Sequence, residues 1–322
     1  MDLSDMVIGI PRYLAYFSFS SLWETYFRDL GFEVRVSPPS NADILDAGVR
    51  ETVNDACIPI KMFHGHVASL KDSVDCLFIP RLAGAKMNYT VCPKFLGLPD
   101  MVRGSLTGLP RIISPRLLMG RDGLKGLRGL YDVGVELTGR RWRVMRALSR
   151  AKGALHRGVS LVQREGLEAL GYRQPEDPDL TVALVGYPYV LYDGLSSGGI
   201  LPQLQELGIR VVTPEMVPTP AMRREAKAYP ENLFWYYSNR SLWSGMHYMG
   251  ADRVDGMIHV TAFGCGPDAM VNKLLELESS ADSMPFMSVT VDEHTADIGL
   301  RTRVEAFVDM LRWQASKRSE SR

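Results

Sequence analysis

The chain has 322 residues, 46% hydrophobic and 23% charged, and its 37 Lys and Arg balance 37 Asp and Glu to a formal net charge of +0. Such a chain can bury the cores of two globular domains, and a neutral balance by itself argues neither for nor against a nucleic-acid partner, though none is expected. No apolar run approaches the ~20 residues that span a bilayer, the acidic start Met1-Asp-Leu-Ser-Asp-Met6 is no secretion signal, and four cysteines without export signals point to a reducing cytoplasm rather than a disulfide framework.

Met6-Val-Ile-Gly-Ile10 predicts a short strand, and residues 11–16 a loop. A helical pattern over 20–30 stops at Gly31, a usual C-cap residue. Residues 32–36 alternate as a strand that Pro38 and Pro39 end, and Asn41 is placed to cap a helix running to about Val53. Cys57 and a helix over 59–70 follow, then a buried strand, Val74-Asp-Cys-Leu-Phe-Ile79. Strands alternating with helices predict a parallel sheet covered by helices.

The opening pattern recurs. Gly9-Ile-Pro-Arg-Tyr-Leu14 matches Gly186-Tyr-Pro-Tyr-Val-Leu191, and Leu30-Gly31 matches Leu207-Gly208, at identical separations (31 − 9 = 22 and 208 − 186 = 22). Two related α/β halves follow from this. The second half reads as strand 181–186, helix 197–207, strand 209–213, helix 231–248, strand 257–261, a helix after Cys265, strand 286–289 and helix 301–313, with a frayed tail over 314–322. The expected division is a first α/β domain over 1–116, a basic helical connector over 117–172 and a second α/β domain over 173–322. No acidic residue occurs between Leu137 and Arg164, whereas Arg140, Arg141, Arg143, Arg146, Arg150, Lys152 and Arg157 do. That stretch is a solvated basic helix or a docking face for an acidic partner.

Three cysteines share a setting. Cys57 lies in Asp55-Ala-Cys-Ile-Pro-Ile-Lys61, Cys92 in Tyr89-Thr-Val-Cys-Pro-Lys94, and Cys265 in Phe263-Gly-Cys-Gly-Pro-Asp268. Each has a proline within two residues downstream, which suits the first helical turn. A thiol there meets the positive end of the helix dipole, which favours the thiolate that binds metals. Cys76, inside a buried strand, reads as a small core hydrophobe. The separations are long (92 − 57 = 35 and 265 − 92 = 173), unlike the close pairs of structural zinc sites. Three thiolates still fit zinc with a fourth ligand such as His64 or His66, or a [4Fe–4S] cube with one iron left open. Lys61 and Lys94 are placed to offset thiolate charge. His64, Glu293 and His294 are candidates for acid–base work, the last two because Asp292-Glu-His294 follows a strand end; a helix-capping role for Asp292 or Thr295 competes with that reading.

Together with Val91-Cys-Pro-Lys-Phe-Leu-Gly-Leu-Pro-Asp100 and Thr302-Arg-Val-Glu-Ala-Phe307, these motifs resemble the 2-hydroxyacyl-CoA dehydratase superfamily. Within it they are similar to the dehydratase-like domain of CoA-substrate-specific activase-related proteins. The resemblance spans nearly the whole chain and is weakest over the basic connector. It implies two Rossmann- or flavodoxin-like halves with a [4Fe–4S] cluster held between them by Cys57, Cys92 and Cys265. It also implies an ATP-hydrolysing iron–sulfur activator as electron donor, an acyl-CoA or other small-molecule substrate, and a homo- or heterodimer. The chain departs from the family in being shorter than a typical dehydratase subunit, and its three suitable thiols do not suffice for a double cubane. It has no Gly-x-Gly-x-x-Gly and no Walker A pattern, so it supplies no nucleotide-hydrolysing module of its own. A lyase or reductase, a non-catalytic electron carrier and a structural zinc protein all remain open on the sequence.

Overall fold

Two units make up the computed structural model, which describes residues 6–84, 89–229, 233–250, 254–293 and 297–320. The first comprises Met1–Val159 with Leu233–Tyr236, the second Ser160–Asn232 with Tyr237–Arg322.

In the first unit the order is β1 (Val7–Ile10), α1 (Tyr16–Asp29), β2 (Glu33–Val36), α2 (Ala42–Arg50), α3 (Ile58–Leu70), β3 (Cys76–Phe78), β4 (Arg81–Gly84), α4 (Pro93–Ser105), β5 (Arg111–Ile113), β6 (Arg116–Gly120), β7 (Gly123–Leu124) and α5 (Arg128–Thr138). Most of α6 (Arg141–Glu165) belongs here too. Four strands form a parallel sheet in the order β2-β1-β3-β5. Trp23 and Phe27 of α1 press edge-on against Phe78 of β3 at 5.3 and 4.9 Å between ring centroids. Asn41 caps α2 as expected, accepting the Ile44 N–H at 2.9 Å.

The helix α3 is held by a backbone-to-backbone approach. A Cβ at Gly48 of α2 would lie 1.9 Å from the Lys61 carbonyl oxygen, and one at Gly65 of α3 would lie 1.9 Å from that of Ile44. Only glycine fits either position, and the two helices touch without side chains between them.

The second unit contains β8 (Thr181–Gly186), α7 (Pro188–Leu191), α8 (Ile200–Glu206), β9 (Arg210–Val212), α9 (Thr219–Ala228), α10 (Tyr236–Met249), β10 (Gly256–Ala262), α11 (Gly266–Ala281), β11 (Phe286–Val291) and α12 (Asp297–Glu320). Its sheet is also parallel, in the order β9-β8-β10-β11. The two sheets therefore share one plan, in which the unit's first strand stands between its second and its third. Gly9 lies on β1 and Gly186 ends β8, and each strand occupies that same place. The fold is α/β with two doubly wound, parallel-sheet halves.

Several local expectations differ from the structure: α10 begins at Tyr236 rather than 231 and α12 at Asp297 rather than 301, and three further differences have clear causes. The start of the stretch expected as helix, after residue 117, is strand: Arg116–Gly120 alternates exposed and buried residues and pairs with β4 and β7 in a small separate sheet. Period-two alternation there outweighs helical propensity. The tail expected to fray continues α12 through Glu320, since no helix breaker follows Trp313 and the Lys317 ammonium sits 3.8 Å from the centre of its ring. The helix α1 begins at Tyr16 rather than 20, four residues earlier than its apolar pattern suggested. Among the described residues no helix is long and apolar enough to cross a membrane.

Candidate functional site

Each of Cys57, Cys92 and Cys265 is the N-cap residue of a helix, of α3, α4 and α11 respectively. Each helix carries proline at its first or second position, and none of the three cysteine side chains makes a capping hydrogen bond. Cys76 is different: it lies within β3, is 3% exposed, and burial raises its thiol above the ordinary range. The sulfur atoms that sequence reasoning grouped are thus the ones at helix starts.

In the first unit Cys57 stands close enough to Cys92 for its charge to disfavour the Cys92 thiolate. The Lys94 ammonium, two residues past Cys92, donates to Cys57 Sγ at 3.5 Å. Cys92 itself is pushed above the ordinary thiol range, first by burial and then by Cys57, while the Lys94 backbone N–H and ammonium pull the other way. The helix dipole alone predicted a depressed Cys92 thiol; desolvation outweighs it. Lys61 is buried, one turn into α3 from Cys57.

In the second unit Cys265 follows β10, at the point between β8 and β10 where the order of strands in the parallel sheet reverses. Gly264, at φ +76°, provides the left-handed turn that brings the chain off the strand, and the Cys265 N–H bonds back to the Ala262 carbonyl at 3.0 Å. Gly266 has open space where a side chain would be. Tyr189 of α7 is buried nearby. Burial first, then the charges of Cys265, Tyr187, Tyr237 and Asp268, push its phenol well above the ordinary range, so it stays a hydroxyl. The rings of Tyr187, Tyr189 and Tyr237 form a cluster with centroids 5.5 to 5.8 Å apart.

Beneath α11 lies a polar pair that sequence reading missed. His259 on β10 directs Nδ1 at Asn272 Oδ1, 2.9 Å away, and places Nε2 3.3 Å from Asp268 Oδ1. Both side chains are inaccessible to solvent. Its sequence signal is the polar pair His259 and Thr261, spaced by two on the otherwise apolar Gly256–Ala262.

The remaining candidates divide clearly. His64 donates from Nδ1 to the Ile60 carbonyl at 2.8 Å, and burial lowers its pKa. His66 has both ring nitrogens engaged, with Ser37 Oγ at 2.9 Å and Ser40 Oγ at 3.0 Å. Glu293 is half-buried in the turn after β11, and His294 and Thr295 lie outside the described residues. The basic face of α6 is exposed, with Trp142 and Met145 at 64% and 58% and the Arg146 guanidinium 5.7 Å from the Trp142 ring centre. Among the described residues, no three His, Cys, Asp or Glu side chains converge closely enough to hold a metal ion.

The family profile described as a CoA enzyme activase uncharacterised domain matches residues 7–217, which include Cys57 and Cys92. The profile of 2-hydroxyglutaryl-CoA dehydratase, D-component, matches residues 198–311, which include Cys265. No curated protein matches the chain. Among solved structures, tagatose-6-phosphate ketose/aldose isomerase from Escherichia coli aligns over 95% of this chain and 79% of its own at 10% identity, with a TM-score of 0.23, too low to carry an argument.

Proposed function

The chain belongs to the family of the CoA enzyme activase domain, and on that premise we propose that it is a dehydratase-type iron–sulfur protein acting on an acyl-CoA. In this reading Cys57 and Cys92 of the first unit and Cys265 of the second supply the three protein thiolates of one [4Fe–4S] cluster. The observation that supports it most is the shared placement of these sulfurs. Three of the four cysteines are N-caps followed by proline, and none spends its side chain on capping. Soft thiolates are the ordinary ligands of iron–sulfur clusters, and the chain carries three at equivalent helix starts.

Such a cluster, when bound, supplies one-electron reduction at low potential and an iron corner without a protein ligand. The chain's own residues do the rest. Lys94 holds positive charge against Cys57 and lowers the cost of collecting thiolates in one place. Cys57 is buried within the first unit, and in the second the buried Tyr189 phenol lies within electrostatic reach of Cys265. Gly264 and Gly266 keep the approach to Cys265 free of side chains. An external, ATP-hydrolysing iron–sulfur activator delivers the electron.

The test is electron paramagnetic resonance of anaerobically purified protein, reduced by titanium(III) citrate, with and without a 2-hydroxyacyl-CoA. The reading expects a reduced-cluster signal that changes when the thioester is added. A signal indifferent to every acyl-CoA identifies an electron carrier instead, and a protein that carries zinc and no iron contradicts the reading outright.

A further inference from the structure

We propose that the outward face of α6, from Arg141 to Val159, is a docking surface for a partner protein whose own face presents carboxylates around an apolar centre. This face lies within the first unit and needs no cluster to act.

Two stripes divide this stretch of helix. Val144, Ala147, Leu148 and Ala151 are buried at the spacing of a core-facing stripe. A surface helix anchored in that way is ordinarily polar on its other side. Here the other side exposes Trp142 at 64%, Met145 at 58% and Val159 at 45%. Steps of three and four residues lead from Trp142 through Met145, Ser149, Lys152 and His156 to Val159, all of them exposed, so they share one face.

Charge on the helix is arranged against its own stability. Arg141 and Arg143 stand in the first turn, where the dipole disfavours cations, and no acidic residue accompanies them. Arg146 follows Arg143 by three residues and precedes Arg150 by four, and like charges at those spacings repel. Among the described residues, Arg150 meets Asp29 at 3.5 Å, whereas Arg141, Arg146, Lys152 and Arg157 meet no carboxylate. Carboxylates brought by a partner relieve this repulsion, and opposite charge speeds the encounter and fixes its register.

The apolar residues decide the class of partner. Trp and Met among arginines are the residue types in which protein interfaces exceed the rest of the surface. A nucleic acid would use the Trp142 ring for stacking, but the Arg146 guanidinium already lies over it, 5.7 Å from its centre. A bilayer would need apolar and basic residues on opposite sides of the helix, whereas Lys152 and His156 interrupt the apolar ones on a single face. A second copy of the chain in two-fold contact would set this basic face against itself.

The experiment titrates the full chain, as purified, into a labelled synthetic helix with leucines along one face flanked by glutamates, and reads fluorescence anisotropy. Duplex DNA and phosphatidylserine vesicles are parallel probes, and circular dichroism checks that each variant is folded. Wild type should bind the peptide, and Trp142→Ala and Arg146→Glu should each weaken binding about tenfold, as loss of a central interface residue does. Arg224→Glu, the same charge change at an exposed arginine of α9 in the second unit, should leave binding unchanged. Added salt should weaken the wild type, with the Trp142→Ala loss persisting because it is apolar. No binding by wild type, or an equal loss in Arg224→Glu, overturns the inference. Tighter binding of DNA or vesicles that Trp142→Ala and Arg146→Glu abolish also overturns it, since the occupant is then a nucleic acid or a membrane.

Discussion

An N-cap position ordinarily goes to Ser, Thr, Asp or Asn, whose side-chain oxygen satisfies a free backbone N–H and is worth about 1 kcal/mol. At Cys57, Cys92 and Cys265 the chain forgoes that bond at three helices. Capping therefore does not account for these cysteines, whereas a role for sulfur does. The histidines of α3 illustrate the opposite case, since their side chains serve the fold. His66 is inaccessible to solvent and bonded at both nitrogens, and burial lowers its pKa to about 3, with Arg12 adding to the shift. The folded state thus refuses a proton that the unfolded chain accepts near its ordinary value of about 6.5. Stability is full above that value and is lost as pH falls toward 3. At 1.36 kcal/mol per unit, His66 alone removes about 2 kcal/mol between pH 6 and 4.5. Urea unfolding of wild type and His66→Gln at both pH values checks this: the variant should lose less stability on acidification. Equal losses would mean that His66 titrates in the folded state.

At the scale of elements, the crossing of α2 and α3 sets where Cys57 sits. Gly48→Ala places a methyl group against the Lys61 carbonyl, and the helices must part to admit it. The expected cost is about 1–3 kcal/mol of overpacking, read as a lower urea midpoint, with Cys57 displaced and cluster occupancy reduced. Wild-type stability in Gly48→Ala would show that the crossing is looser than it stands. This contact was not legible in the sequence, where each glycine was simply a residue inside a helical pattern. What could be read was periodicity and punctuation: β8 was expected at 181–186 and lies there, Asn41 caps α2, and α3 and α11 begin within one residue of expectation. The small sheet of β4, β6 and β7 was missed because its strands are short and β4 pairs with a segment 35 residues on (116 − 81 = 35). The His259–Asp268 pair was missed for a related reason, since only the packing of β10 under α11 reveals that both side chains face inward.

Across the whole molecule, a repeated sheet plan carries an asymmetric set of sulfurs. Cys92 and Cys265 cap the helices that follow the third sheet strand of their own units, whereas Cys57 caps α3, and its counterpart α10 is preceded by Trp235 with no cysteine. Two related halves thus offer two thiols and one, a total that matches three ligands of a cubane and leaves its fourth corner to another ligand. The repeated Gly-x-Pro and Leu-Gly signatures made the plan visible in the sequence, and the shared cysteine–proline setting singled out the sulfurs. The measurement that bears most directly on the central claim is iron and acid-labile sulfide in anaerobically purified wild type and in the four single Cys→Ser proteins. Wild type and Cys76→Ser should each hold about four iron and four sulfide per chain, and Cys57→Ser, Cys92→Ser and Cys265→Ser should lose most of both while remaining folded. Equal loss from Cys76→Ser and Cys265→Ser, or wild-type protein with no iron, would contradict the assignment.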